Sequence, residues 1–321
     1  MALPDFFVMG APKAGTTALH TALSRHPQLF MSRVKEPRYF LTDDGVPPPS
    51  RGGPGDPQTY QEYVYRRRDY EELFAAAPPD TIKGESSPFY LWSQDAHRRI
   101  RAAVPDARLI ALLRDPVERA HSNWGHLWSA GLEPINDFVQ ACEQESQRVA
   151  AGWAPFWRYV DLGLYGKQIE HLLEVFPRNQ VLLLRYRDVR EQPAQTLDRI
   201  CDFLGVETGV ISTVPRENVT TQVPETGVTR VIQVSLRGGA AFGHLFPLPL
   251  RRLVRGPLLH LLHRRPNARQ PLTVHEREQV LRYFEADIEV LQRVTGLSFS
   301  DWLATGVAGR GGLLMQGGQT A

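Results

Sequence analysis

Short apolar runs alternate with amphipathic segments along much of the chain. Residues 107–113 and 180–186 are continuous apolar runs, residues 5–10 form a shorter run that enters a glycine-containing loop, and residues 81–84 form a weaker fourth run. Continuous apolar runs of this length are typical of parallel strands that are buried on both faces. The sequence therefore predicts four strands of one parallel sheet.

Helical patterns lie between and after these runs. Residues 93–104 begin with a serine, which favours the N-cap of a helix, and residues 116–129 begin with a proline, which favours the first helical turn. The alternation of strands and helices predicts an α/β fold in three layers, with a central parallel sheet and helices on both faces. The other predicted helices comprise residues 16–25, 60–77, 164–176, 192–204 and 274–294.

We predict a single domain that comprises residues 1–305. The helix at residues 274–294 should dock back onto this domain, because apolar side chains recur along one of its faces. Those side chains are Val280, Tyr283, Phe284, Ile288 and Leu291. We predict a flexible loop at residues 45–57, an irregular cap over the cofactor and acceptor groove at residues 213–269, and a disordered tail at residues 306–321.

The composition indicates an ordinary soluble globular protein, with a formal net charge of only +2. A nucleic-acid binder that relies on a global positive field is normally more basic, so any anion site must be local. The sequence shows neither a secretory signal nor a membrane span, and we expect a cytoplasmic protein. Cys142 and Cys201 lie in helical patterns without metal-type spacing, and we expect buried free thiols.

The stretch GAPKAGTT at residues 10–17 joins the first predicted strand to the first predicted helix. Backbone N–H groups of such a loop, together with the positive end of the helix dipole, form an anion site. Lys13 adds a charge-assisted contact, and the hydroxyl groups of Thr16 and Thr17 can donate from the first helical turn. The loop gives the predicted α/β fold a P-loop-type anion site.

The details of this loop differ from those of a nucleoside-triphosphate loop. There a lysine follows the second glycine, whereas Thr16 occupies that position here. Such loops also use a magnesium-binding aspartate at the end of a neighbouring strand, but residues 107–113 lead into Arg114. We infer a nucleotide that carries a second phosphate near Arg114 and binds without magnesium. A small-molecule kinase that uses ATP and magnesium, or a non-catalytic nucleotide-binding protein, is the alternative.

Four stretches in order resemble the sulfotransferases that use 3′-phosphoadenosine 5′-phosphosulfate (PAPS). They are APKAGTTAL, HPQLFMSRVKEPRYF, KGESSPFYLW and RDPVERAHSNW, and the resemblance extends from about residue 5 to residue 204. The chain looks most similar to bacterial members related to the heparan-type carbohydrate enzymes. The resemblance implies metal-independent transfer of a sulfuryl group from PAPS to a hydroxyl of a sugar, lipid or secondary metabolite.

The resemblance also implies which residues bind the donor. Arg114 and Ser122 would hold the 3′-phosphate, since a planar guanidinium suits phosphate. Arg119 would assist them or be a solvated helix arginine, and Tyr186 would contact adenine or be a core tyrosine. The residues implied for the 5′-phosphosulfate are Lys13, Ala14, Gly15, Thr16 and Thr17.

The chemistry requires a base for the acceptor proton and a cation for the leaving phosphate. Lys13 is the natural cation. In the heparan-type enzymes that the chain resembles, a glutamate in the matching segment is the base, and here that residue is Glu36. The alternative for Glu36 is a salt bridge with Lys35 or Arg38. His126, on the helix after Arg114, is the second candidate for the base.

Glu85 is a further carboxylate in the matched segments. We expect it to hold Lys13 or a substrate hydroxyl, with a structural ion pair as the alternative. Several relatives have a lysine directly after this glutamate, where this chain has Ser86. The substitution puts a second cationic catalyst at that position in doubt.

Overall fold

The structure is a computed structural model that describes residues 3–43, 45, 53, 63–215 and 271–304. The predicted loop at residues 45–57 and the predicted cap at residues 213–269 lie almost entirely outside the described residues. The predicted tail at residues 306–321 lies wholly outside them.

A five-stranded parallel sheet forms the centre of the described chain, in the order β2-β3-β1-β4-β5. The four predicted strands are all present. A further strand, β2, was not predicted because a three-residue strand is too short to show a pattern. The strands are β1 Phe6–Gly10, β2 Leu29–Met31, β3 Ile82–Ser86, β4 Arg108–Leu113 and β5 Val181–Arg185.

Helices surround this sheet. The predicted serine cap is confirmed, because the Ser93 hydroxyl accepts a hydrogen bond of 3.2 Å from the Ala96 N–H. The helices are α1 Thr16–Leu23, α2 Arg67–Glu72, α3 Gln94–Ala103, α4 Pro116–Ser129, α5 Phe138–Glu143, α6 Glu145–Ala150, α7 Tyr165–Val175, α8 Tyr186–Glu191, α9 Pro193–Leu204, α10 Val274–Leu281 and α11 Glu285–Thr295.

The predicted long helix at residues 274–294 is wrong in one respect, because it is interrupted between α10 and α11. The Phe284 N–H donates to the Leu281 carbonyl at 2.8 Å, three residues back, which tightens the chain into a turn. Tyr283 is therefore rotated away from the buried face and is 43% exposed, whereas Phe284 is buried. The remaining predicted members of the face are buried.

Helices lie on both faces of the sheet, as predicted. Neighbouring residues of a strand point to opposite faces, so Glu85 and Ser86 of β3 do so. Ser86 is hydrogen-bonded to His20 of α1, and Glu85 lies close to Tyr70 of α2. The two helices therefore cover different faces.

The parallel arrangement brings the carboxyl ends of the strands to one edge of the sheet. β1 lies between β3 and β4, so the loop that follows β1 is at the middle of this edge. Arg114 directly follows β4, and Tyr186 directly follows β5. This edge is where the fold gathers the residues for which binding roles were predicted.

The two cysteines agree with the expectation from sequence. Cys142 and Cys201 are buried free thiols in helices α5 and α9. None of the described helices combines the length and the apolar character that crossing a membrane requires.

Arg277 of α10 connects the C-terminal helices to the residues that follow β4 through hydrogen bonds. Its buried guanidinium donates to both oxygens of Asp115, at 3.0 and 2.7 Å, and to the carbonyls of Trp302 and Ala304, at 2.7 and 2.9 Å. The Asp115 carboxylate also caps α4 by accepting from the Glu118 N–H at 3.0 Å. The ion pair therefore stabilises the segment that carries Arg114.

Replacing Arg277 with alanine should lower the free energy of unfolding by about 3 kcal/mol, because it leaves the largely buried Asp115 carboxylate uncompensated. Urea unfolding followed by circular dichroism measures this loss. Arg293→Ala is the matched control, since the Arg293 side chain is 69% exposed and lies 3.5 Å from Glu170. Such an exposed pair contributes less than about 1 kcal/mol. Equal losses in the two variants would contradict the role given to Arg277.

Candidate functional site

The loop between β1 and α1 has the backbone of an anion site. Lys13 and Gly15 both adopt left-handed conformations, with φ of 67° and 92°. A side chain on Gly15 would be strained, and its Cβ would lie 2.8 Å from the Tyr186 ring. The N-cap residue of α1 is Gly15, which has no side chain to cap the helix, so the first N–H groups of α1 suit an anion.

The side chains of this loop divide between the interior and the surface. Ala14 and Thr16 are buried, whereas Lys13 and Thr17 are partly exposed. The Lys13 ammonium and the Thr17 hydroxyl are therefore on the accessible side of the loop. The structure keeps all the predicted 5′-phosphosulfate residues together, because they are consecutive.

Arg114 connects this loop to the end of β4. One of its terminal nitrogens donates to the Lys13 carbonyl at 3.3 Å, while Nε and Nη2 donate to Glu118 Oε2 at 3.3 and 3.1 Å. Its guanidinium carbon lies 4.9 Å from the ring centroid of Tyr186, a cation–π contact. Gly15, Arg114 and Tyr186 thus form one cluster. Tyr186 is half-buried beside the loop and also packs against the core, so contact with adenine stays a prediction.

Two further residues of α4 were predicted near the 3′-phosphate. Ser122 lies on the buried side of α4, about two turns after its start. Arg119 is fully buried and donates to the Tyr159 carbonyl, so the alternative of a solvated helix arginine is wrong. Contact of either residue with a phosphate stays a prediction.

Glu36 lies between two cations. Its carboxylate oxygens accept from Lys35 Nζ at 2.5 Å and from Arg38 Nη2 at 2.7 Å. These are the ion pairs of the alternative given for Glu36, and its role as base stays a prediction. Although partial burial acts to raise the pKa of Glu36, Lys35 and Arg38 outweigh it and lower that pKa to about 2. The Glu36 N–H donates to the Ser86 carbonyl at 2.9 Å, which ties the residue to the end of β3.

A row of aromatic rings extends from Arg38 towards His126. The Arg38 guanidinium lies over the Phe89 ring at 5.3 Å, Phe89 packs edge-on against Phe156 at 5.8 Å, and Phe156 packs against the His126 ring at 5.8 Å. The structure therefore places His126 at the far end of this row from Glu36. A role of His126 as base stays a prediction.

Glu85 differs from the expectation. It is fully buried, and neither carboxyl oxygen makes a hydrogen bond or ion pair with any residue that the structure describes. Burial raises the pKa of Glu85 to about 8, and the nearby hydroxyl groups of Tyr90, Tyr70 and Ser87 offset this only in part. The described residues therefore give no support to the predicted structural ion pair, and a contact of Glu85 with Lys13 stays a prediction. Its burial also argues against contact with a substrate hydroxyl.

Sequence reasoning missed His20. This partly exposed residue of α1 has its Nδ1 3.0 Å from the Ser86 hydroxyl. Burial and the Lys35 charge lower the pKa of His20 to about 4, although Glu36 opposes them. His20 follows Thr16 by four residues, so both lie on one face of the helix. That spacing was a signal for a third side chain near the loop.

Comparisons with known proteins fit this geometry. A sequence model with the description "Sulfotransferase family" matches residues 54–209. Heparan sulfate glucosamine 3-O-sulfotransferase 3B1 of Homo sapiens is 29% identical over 205 residues, which cover 64% of this chain and 47% of that protein. Carbohydrate sulfotransferase 15 of Rattus norvegicus is 25% identical over 246 residues, which cover 64% and 44%. The chain spans about half the length of the curated relatives it matches.

A solved structure matches nearly the whole chain. The crystal structure of a sulfotransferase from Alicyclobacillus acidocaldarius has a TM-score of 0.72 and 26% identity to this chain. The match covers 95% of this chain and 100% of that one. The predicted P-loop-type three-layer α/β fold is therefore confirmed.

Proposed function

Because this chain belongs to the sulfotransferase family, we propose that it transfers the sulfuryl group of PAPS to a hydroxyl group. The observation that carries the proposal is the cluster of Lys13, Gly15, Arg114 and Tyr186 at one edge of the sheet. It combines a loop for one anionic group, a guanidinium for a second and an aromatic ring. Those are the features that a nucleotide with phosphates at both the 5′ and 3′ positions requires.

The residues present fit such a donor. The left-handed loop and the uncapped start of α1 would hold the 5′-phosphosulfate, with Lys13, Ala14, Gly15, Thr16 and Thr17. Arg114 and Ser122 would hold the 3′-phosphate, and Tyr186 would stack near the adenine. PAPS supplies the sulfuryl group, and its adenosine 3′,5′-bisphosphate part (PAP) is the leaving group.

Glu36 and Lys13 perform the proton and charge steps of the transfer. Glu36 accepts the proton of the acceptor hydroxyl while the acceptor oxygen forms its bond to sulfur. The bond between sulfur and the phosphate oxygen, on the side of sulfur opposite the acceptor, breaks at the same time. Its electron pair remains on the phosphate oxygen. The Lys13 ammonium stabilises this charge. The products are a sulfate ester, PAP and a proton that Glu36 releases to solvent.

The low pKa of Glu36 is compatible with this role. An attacking hydroxyl becomes strongly acidic once its oxygen bonds to sulfur, so a weak base in the right position is sufficient. Lys35 and Arg38 hold the carboxylate oxygens at fixed positions, and position is the first requirement for a general base. The ion pairs thus make the Glu36 carboxylate a weaker base but hold it in a fixed orientation.

We take the acceptor to be a sugar hydroxyl. This choice rests on relatives whose names describe sulfation of heparan sulfate glucosamine and of carbohydrate. A cytoplasmic location and independence from metal ions belong to the same proposal.

Calorimetry with PAP and with ATP tests the proposal. The wild-type chain should bind PAP in the presence of a chelator and should bind ATP with magnesium at least tenfold more weakly, since Thr16 replaces the lysine that reaches a triphosphate. A preference for ATP with magnesium would instead support the kinase alternative. PAP binding without turnover of PAPS on any sugar acceptor would support the non-catalytic alternative.

A further inference from the structure

The His20–Ser86 pair connects α1 to the end of β3. His20 Nδ1 lies 3.0 Å from Ser86 Oγ, a contact between residues that are 66 positions apart. Ser86 is fully buried, and its carbonyl accepts the N–H of Glu36 at 2.9 Å. The pair therefore adjoins both the anion loop and the residue proposed as base, although neither mechanism step uses it.

The burial of Ser86 determines the tautomer of His20. Among the described residues, His20 is the partner that the structure gives to the Ser86 hydroxyl. A buried hydroxyl hydrogen is costly to leave without an acceptor, so Ser86 donates and His20 Nδ1 accepts. In a neutral imidazole the proton then resides on Nε2. Burial and Lys35 keep the pKa of His20 near 4, so the ring is neutral at neutral pH.

His20 lies on the helix that follows the anion loop and close enough to the proposed base for the Glu36 charge to act on it. His20 lies about one helical turn beyond Thr16, at about 6 Å along the axis of α1. The ring is partly exposed, and the charges of Lys35 and Glu36 both affect its pKa. A sulfuryl group attached to a phosphate at the loop would extend into the space between the loop and Glu36.

We propose that His20 is a catalytic residue whose Nε2–H donates a hydrogen bond to a sulfuryl oxygen of the donor, with Ser86 fixing the ring. The inference rests on the proposed function. It adds to the site a side chain that contacts the transferred sulfuryl group and not the PAP part of the donor. His20 neither gains nor loses a proton in this role. The acceptor proton still goes to Glu36, and the electron pair of the broken bond still remains on PAP.

The tautomer can be tested without any ligand. Nitrogen-15 NMR of the histidine side chains in the full-length protein, with His20→Asn used to assign the signal, should show His20 protonated at Nε2 and not at Nδ1. Addition of PAPS should shift the Nε2–H resonance more than addition of PAP does. A ring that is protonated at Nδ1, or equal shifts with both nucleotides, would overturn the proposal.

Two substitutions separate a contact with the sulfuryl group from a structural role. The amide of asparagine reproduces Nδ1 and preserves the Ser86 contact, whereas the amide of glutamine reaches the position of Nε2. His20→Asn should reduce the preference for PAPS over PAP by about tenfold or more, the effect of one hydrogen bond to a charged group. His20→Gln should retain most of that preference, and His275→Ala, which alters an exposed histidine of α10, should retain all of it.

The affinities of PAPS and PAP for each variant show whether the His20 proposal fails alone or together with the proposed function. If His20→Gln loses the preference and His20→Asn keeps it, the pair is only structural and the proposal is overturned. If the ratio is the same in all variants, the proposal is likewise overturned, while the proposed function stands. If the wild-type protein binds neither nucleotide, both fail together.

Discussion

Glu36→Gln should reduce kcat by about 10²–10⁴-fold, the usual contribution of a positioned general base. The amide keeps the size of the side chain but cannot take up the acceptor proton. The affinity for PAP should not fall, because the substitution removes a negative charge near the anion loop and frees Lys35 and Arg38. Kinetics with PAPS and a sugar acceptor, together with PAP calorimetry, measure both quantities.

A matched control separates loss of the base from a general effect of charge. Glu191→Gln removes an exposed carboxylate that pairs with Arg187 at 2.9 Å on α8, away from Glu36. It should leave kcat within about twofold, as expected for an exposed ion pair. If Glu36→Gln keeps full turnover, Glu36 is not the base, and His126→Ala becomes the next variant to measure.

The pH dependence of kcat provides a second test of whether Glu36 is the base. A base acts in its deprotonated form, so activity is lost as pH falls through its pKa. The pKa of Glu36 is lowered to about 2 by its two cations, so its titration should cause no loss of activity between pH 8 and pH 5. An acid limb within this pH range that His126→Ala removes would assign the base to His126 instead.

The parts of the fold that the sequence predicted have strong local signals. α4 was predicted because Pro116 favours a first turn, and the structure adds the Asp115 cap at its start. The interruption before α11 could not be predicted, because the turn at Phe284 depends on a backbone hydrogen bond to Leu281. The residue types in this segment do not indicate that bond. β2 was missed because only pairing with β3 makes these three residues a strand.

The same distinction applies to the site. The loop and Arg114 each follow an apolar run that predicts a strand. Parallel strands end at one edge of the sheet, so the proximity of the loop and Arg114 could be predicted. The partners of Glu36 are its sequence neighbours and were predicted as well. The contact of His20 with Ser86 was not, since it joins distant residues through the packing of α1 on β3. The burial of Glu85 likewise depends on tyrosines from other segments.

Arg114→Ala should weaken PAP binding by about 10²–10³-fold. A guanidinium that forms two charge-assisted hydrogen bonds to a phosphate contributes roughly 1.5–3 kcal/mol for each bond, less the share that solvent screens. Calorimetry measures the loss. Arg187→Ala, at a side chain that is 63% exposed, is the control and should bind PAP like the wild-type protein. Arg114→Lys should not restore binding, because an ammonium lacks the planar pair of donors.

A second nucleotide shows which phosphate Arg114 binds. AMP has the 5′-phosphate but no 3′-phosphate, so Arg114→Ala should leave its affinity nearly unchanged while that of PAP falls. Arg114 also donates to the Lys13 carbonyl at 3.3 Å, and a loop that collapses without this contact would lose both nucleotides equally. The ratio of the two affinities therefore tests direct binding of the 3′-phosphate. An equal loss for AMP and PAP would make Arg114 a support of the loop, and the 3′-phosphate would need another partner on α4, where Ser122 is the next candidate.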